Sequence, residues 1–179
     1  MMLNNKPLSW QTISLHWLTG LMFIGVFVLG LYMADLPRGP EKFELIGIHK
    51  SLGALILLVA IARIAWRLKE GAISPASPVA PWQDKLAKSV HGILMLATLL
   101  MPLSGIAMSV GGGRGVDIFG WQLIGQGDKI AWLQEIGGAI HGFSVNIIIA
   151  VFVLHVVGAL KHQVVDKDNT ISRMLGRMS

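Results

Sequence analysis

The reading of the chain turns on its last apolar run, GGAIHGFSVNIIIAVFVLHVVGALKHQ, from Gly137 to Gln163. His141 and His155 lie fourteen positions apart in it. On an α-helix that spacing returns to within roughly 40° of the same face while rising ~21 Å. Two imidazoles therefore point into one bundle at opposite depths of a membrane. Ionisable side chains in hydrocarbon are costly unless something binds them, so such a pair is a functional signal by default.

The composition fits that setting. Of 179 residues 53% are hydrophobic and 14% charged, and the hydrophobic residues gather into long runs, as bilayer-spanning segments require. With no cysteine, the chain offers no disulfide, thiolate-bound zinc, iron–sulfur cluster or covalently attached haem; a metal would have to be held by His, Met or carboxylate. The net charge of +5 is not read as a nucleic-acid footprint, because the basic residues cluster at the ends of the apolar runs, where they orient a membrane protein.

Outward from the last run, the chain reads as one transmembrane domain over residues 1–179, with spans at about 9–34, 43–68, 86–110 and 131–162. Ser9 is a candidate N-cap of the first span. That run is too long for a secretory signal and carries a histidine, so it is expected to be retained. Pro37 and Pro40 break the chain after it. Residues 69–85, with Pro75, Pro78 and Pro81, form a linker too polar to cross. Pro102 falls inside the third span, and 111–127 is a glycine-rich loop carrying FGWQL. In the tail, Ile171, Met174, Leu175 and Met178 recur at helical spacing with Arg173 and Arg177 between them, suggesting an amphipathic helix over 169–179 on the membrane surface.

Four spans put both termini on one side. The N-terminus, the linker with its flanks and the C-terminus hold Lys6, Arg63, Arg67, Lys69, Lys85, Lys88, Lys161, Lys167, Arg173 and Arg177; the other loops hold Arg38, Lys42, Lys50, Arg114 and Lys129. This asymmetry predicts cytoplasmic termini. His49 and His141 then lie toward the outer face, and no other histidine does. His16, His91 and His155 lie toward the inner face. His16 is seven residues inside Ser9 and His155 six before Lys161, whereas His91 is three beyond Lys88, so matching depth favours His16 with His155.

Two histidine pairs at two depths read as axial ligands of two stacked haems b, an arrangement suited to electron transfer because no open iron position remains. Gly20, Gly53 and Gly158 each lie about one turn along from a ligand, where a flat macrocycle needs a small residue; glycine is equally common where membrane helices pack closely. Arg63, fourteen after His49, stands at the inner level, where it either pairs with a haem propionate or snorkels to the interface.

SLHW near the start, HKSLG opening the second span, HGILMLATLLMPLSGIAM in the third, and H-x13-H followed by ALKHQVVDKDNTISRML together resemble the small bacterial cytochrome b561 family, over nearly the whole chain. The tail and the combined histidine pattern are specific; H-x13-H alone is shared by other quinone-linked cytochromes. The resemblance implies an all-α four-helix bundle in the bacterial inner membrane, with two haems b held by His16 and His155 on the inner side and His49 and His141 on the outer. A characterised member is a superoxide oxidase that passes electrons through the haems to ubiquinone, which makes a superoxide:ubiquinone oxidoreductase the expected activity. Members often carry tandem histidines where this chain has His162 and Gln163. His162, two turns beyond His155, is a quinone-site candidate or an ordinary interfacial histidine, and for His91 a quinone contact, a buried polar partner and a substitute haem ligand all stay open.

The outer loops carry Asp35, Glu41, Glu44, Asp117, Asp128 and Glu135 against their five basic residues. No overall positive field attracts superoxide there; only a local cluster would. Two other function classes stand beside the oxidase. One is an electron-transfer subunit linking the quinone pool to a partner dehydrogenase or periplasmic protein, and the other is a haem-free bundle. The haem-free bundle leaves several buried histidines to find other partners.

Overall fold

The computed structural model describes residues 7–177. Four long helices follow one another: α1 (Trp10–Asp35), α2 (Pro40–Glu70), α3 (Pro81–Gly111) and α4 (Ala131–Leu160). Each is long and apolar enough to cross a membrane. At 1.5 Å per residue even α1, with 26 residues, reaches ~39 Å, more than a ~30 Å hydrocarbon core. Their outer faces keep Leu21, Val28, Leu58, Phe143, Val153 and Val157 exposed, the pattern of a surface that lipid covers.

Local chemistry sets the helix ends. Ser9 Oγ accepts from the Thr12 amide at 3.2 Å and so caps α1. Lys42 Nζ donates to the carbonyls of Ala34 (3.1 Å) and Leu36 (2.7 Å), satisfying the frayed end of α1 from the start of α2. Pro40 and Pro81, which the sequence suggests as breaks, instead open α2 and α3 at the first helical position, where a missing amide costs nothing. Both helices therefore begin earlier than the apolar runs alone indicate, and the linker shrinks to residues 71–80. Pro102 sits inside α3 without ending it.

The helices pack in sequence, α1 on α2, α2 on α3, and α3 most extensively on α4. Glycines line that last seam. A Cβ at Gly137 would fall 2.7 Å from the Met108 amide nitrogen and 2.8 Å from the Ser104 carbonyl oxygen, and one at Gly111 would fall 2.3 Å from the Gln134 amide nitrogen. Only hydrogen fits at either point, which is how small residues let membrane helices approach.

Where the sequence suggests only a loop, residues 111–127 contain a two-stranded antiparallel hairpin, β1 (Val116–Ile118) with β2 (Trp121–Ile124). Phe119 and Gly120 form its two-residue turn with φ +48° and +89°, the mirror-image turn whose twist suits a hairpin. Ser51 Oγ donates to the Asp117 carbonyl (3.3 Å) and accepts from the Phe119 amide (3.0 Å), while Lys50 Nζ donates to the Gly115 carbonyl (3.0 Å). These bonds hold the hairpin against the start of α2, beside His49. The strands are too short and too interrupted by glycine to show in hydrophobic alternation.

At the opposite end α4 runs into a π-helical turn, Lys161–Val165, and then into α5, Thr170–Met174. The amphipathic helix expected over 169–179 is thus only five residues long within the described chain; Met178, like Lys6, lies outside the described residues. Gly176, at φ +72°, turns the backbone where a longer helix would continue. The tail docks on the bundle, with Trp17 Nε1 donating to the Met174 carbonyl at 2.8 Å. Gln163 receives the Ile171 and Ser172 amides on Oε1 at 2.9 and 3.2 Å, closing the first turn of α5.

Candidate functional site

The bundle gathers its histidines at two ends. At the hairpin end, His49 from α2 and His141 from α4 face each other with ring centres 6.1 Å apart. At the end that carries the termini, His16 from α1 and His155 from α4 stand 6.3 Å apart. Two imidazoles bound on opposite sides of one metal, at ~2 Å each, place their ring centres about 6 Å apart, so both pairs have the reach of a bis-imidazole site. His91 of α3 is closer to His155, at 5.2 Å between ring centres, tighter than that arrangement needs.

Neighbouring groups prepare these rings unequally. His141 Nδ1 lies 3.1 Å from the Met101 carbonyl and 3.0 Å from Ser104 Oγ, which itself donates to Met101 at 2.9 Å. A carbonyl only accepts, so His141 carries its proton on Nδ1 and leaves Nε2 as the free lone pair, the tautomer a metal requires. His49 Nδ1 is buried, and the ring interacts with the Val26 backbone of α1 without a hydrogen bond as well formed as those of His141. Glycines of adjacent helices press on both rings: a Cβ at Gly30 would meet His49 Cε1 at 3.0 Å and one at Gly105 would meet His141 Cε1 at 3.4 Å.

The other end is more crowded. Arg63 Nη2 lies 3.0 Å from His16 Nδ1, so the arginine predicted at this level does join the histidines. Arg67, one turn further on, has a fully buried Nη1 with no partner; its sequence position at a span end makes it look like an ordinary snorkelling residue. A Cβ added at Gly20, Gly53 or Gly158, each about one turn from a paired histidine, would meet nothing within 4 Å, so no protein atom fills these positions. Paired imidazoles, the free Nε2 lone pair of His141, clear glycine positions and two half-buried guanidiniums fit a haem with acidic side groups.

The structure places His162 apart from these clusters. It sits in the π-helical turn, a form frequent at functional positions, with Nδ1 at 2.7 Å from Asp168 Oδ2 and 3.2 Å from Asp166 Oδ2. Asp168 also accepts from Ser77 Oγ (3.0 Å) and from the Thr170 amide (3.1 Å) and hydroxyl (2.6 Å). Burial opposes its charge, but the hydrogen bonds from Thr170, His162 and Ser77 outweigh it and hold the carboxyl below the usual carboxylate range. Asp168 was open to prediction from the Asp-Asn-Thr sequence, since an Asp that binds the amide two residues on is a recurrent turn. His162, Asp166 and Asp168 bring their ligand atoms within 4.8 Å of one another, but Lys161 Nζ, 2.6 Å from Asp166, already supplies a cation to the group.

With this geometry in view, the comparisons with known proteins become specific. A family model described as prokaryotic cytochrome b561 matches residues 8–177. The chain belongs to that family. Its relatives include cytochrome b561 homolog 2 of Escherichia coli (strain K12), 31% identical over 194 residues that take in all of this chain and 97% of that protein. Another is the probable superoxide oxidase CybB of Yersinia pestis, 29% identical and covering 96% of this chain and 97% of that one. A third, cytochrome b562 of Cereibacter sphaeroides, is 29% identical over 91% of each. The four apolar helices and the family together make this a bacterial membrane cytochrome of the b type, and its role is electron transfer.

Proposed function

We propose that this cytochrome binds two haems b, one between His49 and His141 and one between His16 and His155, and carries electrons from superoxide at the hairpin face to ubiquinone at the face with the termini. The observation that carries this reading is the presence of two imidazole pairs with ring centres 6.1 and 6.3 Å apart at opposite ends of one bundle. The excess of Lys and Arg on the termini side supports cytoplasmic termini in the inner membrane, which puts the hairpin outside. His16 is the better partner for His155 because His91 stands too close, 5.2 Å between ring centres, to leave a metal between the rings.

His49, His141, His16 and His155 would hold the haems, which would supply one-electron transfer there. The chain's residues do the rest. Ser104 and the Met101 carbonyl hold His141 in the ligating tautomer and orientation. Lys50, fixed by the Gly115 carbonyl, places a cation next to His49 at the face where a small anion would approach, although the outer loops as a whole are not positive. Two superoxide anions each give up one electron and leave as dioxygen, while ubiquinone takes up two electrons and two protons to become ubiquinol. The protons need a donor in contact with water. His162 binds the Asp168 carboxylate through Nδ1, so Nε2 is the nitrogen free to exchange a proton with a quinone oxygen.

Stopped-flow mixing with superoxide, with and without ubiquinone, tests the reading. Rapid haem reduction followed by quinone-dependent reoxidation is expected. If superoxide fails to reduce haem that a chemical reductant does reduce, the donor is another molecule, and the chain is an electron-transfer subunit for a partner protein.

A further inference from the structure

Arg63 and Arg67 stand one turn apart near the end of α2, and neither has an anion. Arg67 Nη1 is buried with no hydrogen-bond partner, and the contact of Arg63 Nη2 is an imidazole nitrogen, His16 Nδ1. Among the described residues no carboxylate forms an ion pair with either guanidinium. Glu70, within electrostatic reach of Arg67, is exposed and accepts instead from Thr12. Both arginines are within electrostatic reach of His91. Both side chains are half-buried; a guanidinium keeps its charge throughout the accessible pH range, and a nitrogen of it shut off from water without an acceptor, as Arg67 Nη1 is, is unfavourable.

The bond to His16 adds a chemical conflict. A guanidinium N–H only donates, so in this contact His16 Nδ1 accepts and the ring proton is on Nε2. An imidazole that ligates a metal through Nε2 has the opposite tautomer, with its proton on Nδ1. His16 cannot keep Arg63 and serve as a ligand. Once it ligates, Arg63 joins Arg67 in needing an acceptor.

We propose that Arg63 and Arg67 form one carboxylate-binding site, filled by the propionate groups of the haem held between His16 and His155. The proposal rests on the assignment of that pair as ligands. Its consequence is directional. Two guanidiniums offset the negative charge beside the inner iron and make an added electron more stable there. Among the described residues the hairpin end has no buried arginine; its Lys50 is committed to the Gly115 carbonyl and lies in the field of both Asp117 and the exposed Arg114. The inner haem is therefore the stronger electron acceptor of the two, and electrons run from the hairpin face toward the termini face. The same guanidiniums would suit a lipid phosphate, which shares the anionic chemistry but gives no such direction.

Redox titration of the intact protein, followed in the visible spectrum, separates these cases in nanodiscs of phosphatidylcholine alone and in others containing phosphatidylglycerol. His16→Ala identifies the inner component as the one it removes. Arg67→Gln is expected to lower the inner midpoint by at least about 59 mV, a tenfold shift in a one-electron equilibrium, in both lipids and with the outer midpoint unmoved. Arg67→Lys should fall between. Selective loss of the inner haem in Arg67→Gln but not in Arg67→Lys would equally support the site. An unchanged inner midpoint at full haem content overturns it, as does a shift confined to the anionic lipid, which assigns the guanidinium to phosphate. If His16→Ala removes neither spectral component, the ligand assignment fails and takes the proposal with it.

Discussion

The hairpin end and the termini end solve the same problem with different means. At the hairpin end two histidines have only each other, a serine and a backbone carbonyl fix one ring, and a β-hairpin is tied over the start of α2 next to the pair. At the termini end three histidines and two arginines gather, and among the described residues no backbone carbonyl orients the rings. A site with two candidates can be read from depth alone. A site with five needs distances, tautomers and charge to choose among them, and that surplus of polar groups is where regulation of potential and direction can reside.

The largest effects should come from the ligands. His49→Ala or His141→Ala is expected to halve the haem per chain in a pyridine haemochrome assay, and His16→Ala or His155→Ala to remove the other half with a different spectral component. A wild-type haem content in either outer variant would erase the distinction between the ends. His91→Ala sharpens it, since the variant should keep both components; if it empties the inner site while His16→Ala does not, the roles at the crowded end are exchanged.

Backbone packing offers the next test. Gly137→Ala drives a methyl into the α3 backbone and should cost about 1–3 kcal/mol, seen as earlier thermal loss of the outer haem signal, because the same seam carries Ser104 and His141. Gly20→Ala meets no protein atom within 4 Å, so it should leave the apoprotein's helix content unchanged and reduce only haem retention at the inner end. Equal behaviour of the two variants would mean that glycine serves helix packing at both ends.

Smaller still, His162→Ala should leave both haems bound and reducible while slowing reoxidation by ubiquinone in rapid mixing. An unchanged rate would return attention to His91. The Asp168 fastening has the smallest expected effect. Its carboxyl titrates lower in the folded chain than its usual value, so the stabilisation it gives is complete above the usual carboxylate range and is lost as pH falls through the depressed value. The protection factor of the Thr170 amide, which donates to Asp168, taken relative to its intrinsic exchange rate at each pH, should fall on acidification in the wild type and be low already at neutral pH in Asp168→Ala.

How far the sequence reaches follows from which forces it encodes locally. Four apolar helices were legible because hydrophobic length is a property of contiguous residues, and the family was legible in the histidine pattern and the KDNT tail. The hairpin was not, because its strands are three and four residues long and are held by Lys50 and Ser51, far away in the chain. Arg67 was invisible as anything but a span-end cation, since burial of its Nη1 depends on how α2 packs on its neighbours. Gln163 looked like a departure from the tandem histidine; its job in receiving two α5 amides appears only when the π-helical turn has brought it round. The amphipathic tail was overextended because periodicity continues through Leu175 while the backbone turns at Gly176.

Both histidine pairs draw one ring from α4, the last of the four long helices in chain order. The first three helices can enter the bilayer and pack in order, α1 on α2 and α2 on α3, yet each pair stays half-built until His141 and His155 arrive. If these pairs hold haem as proposed, pigment incorporation is coupled to synthesis of α4, and a chain interrupted before residue 141 is expected to assemble neither centre. Partial translation products that stop short of α4 should insert in the membrane colourless.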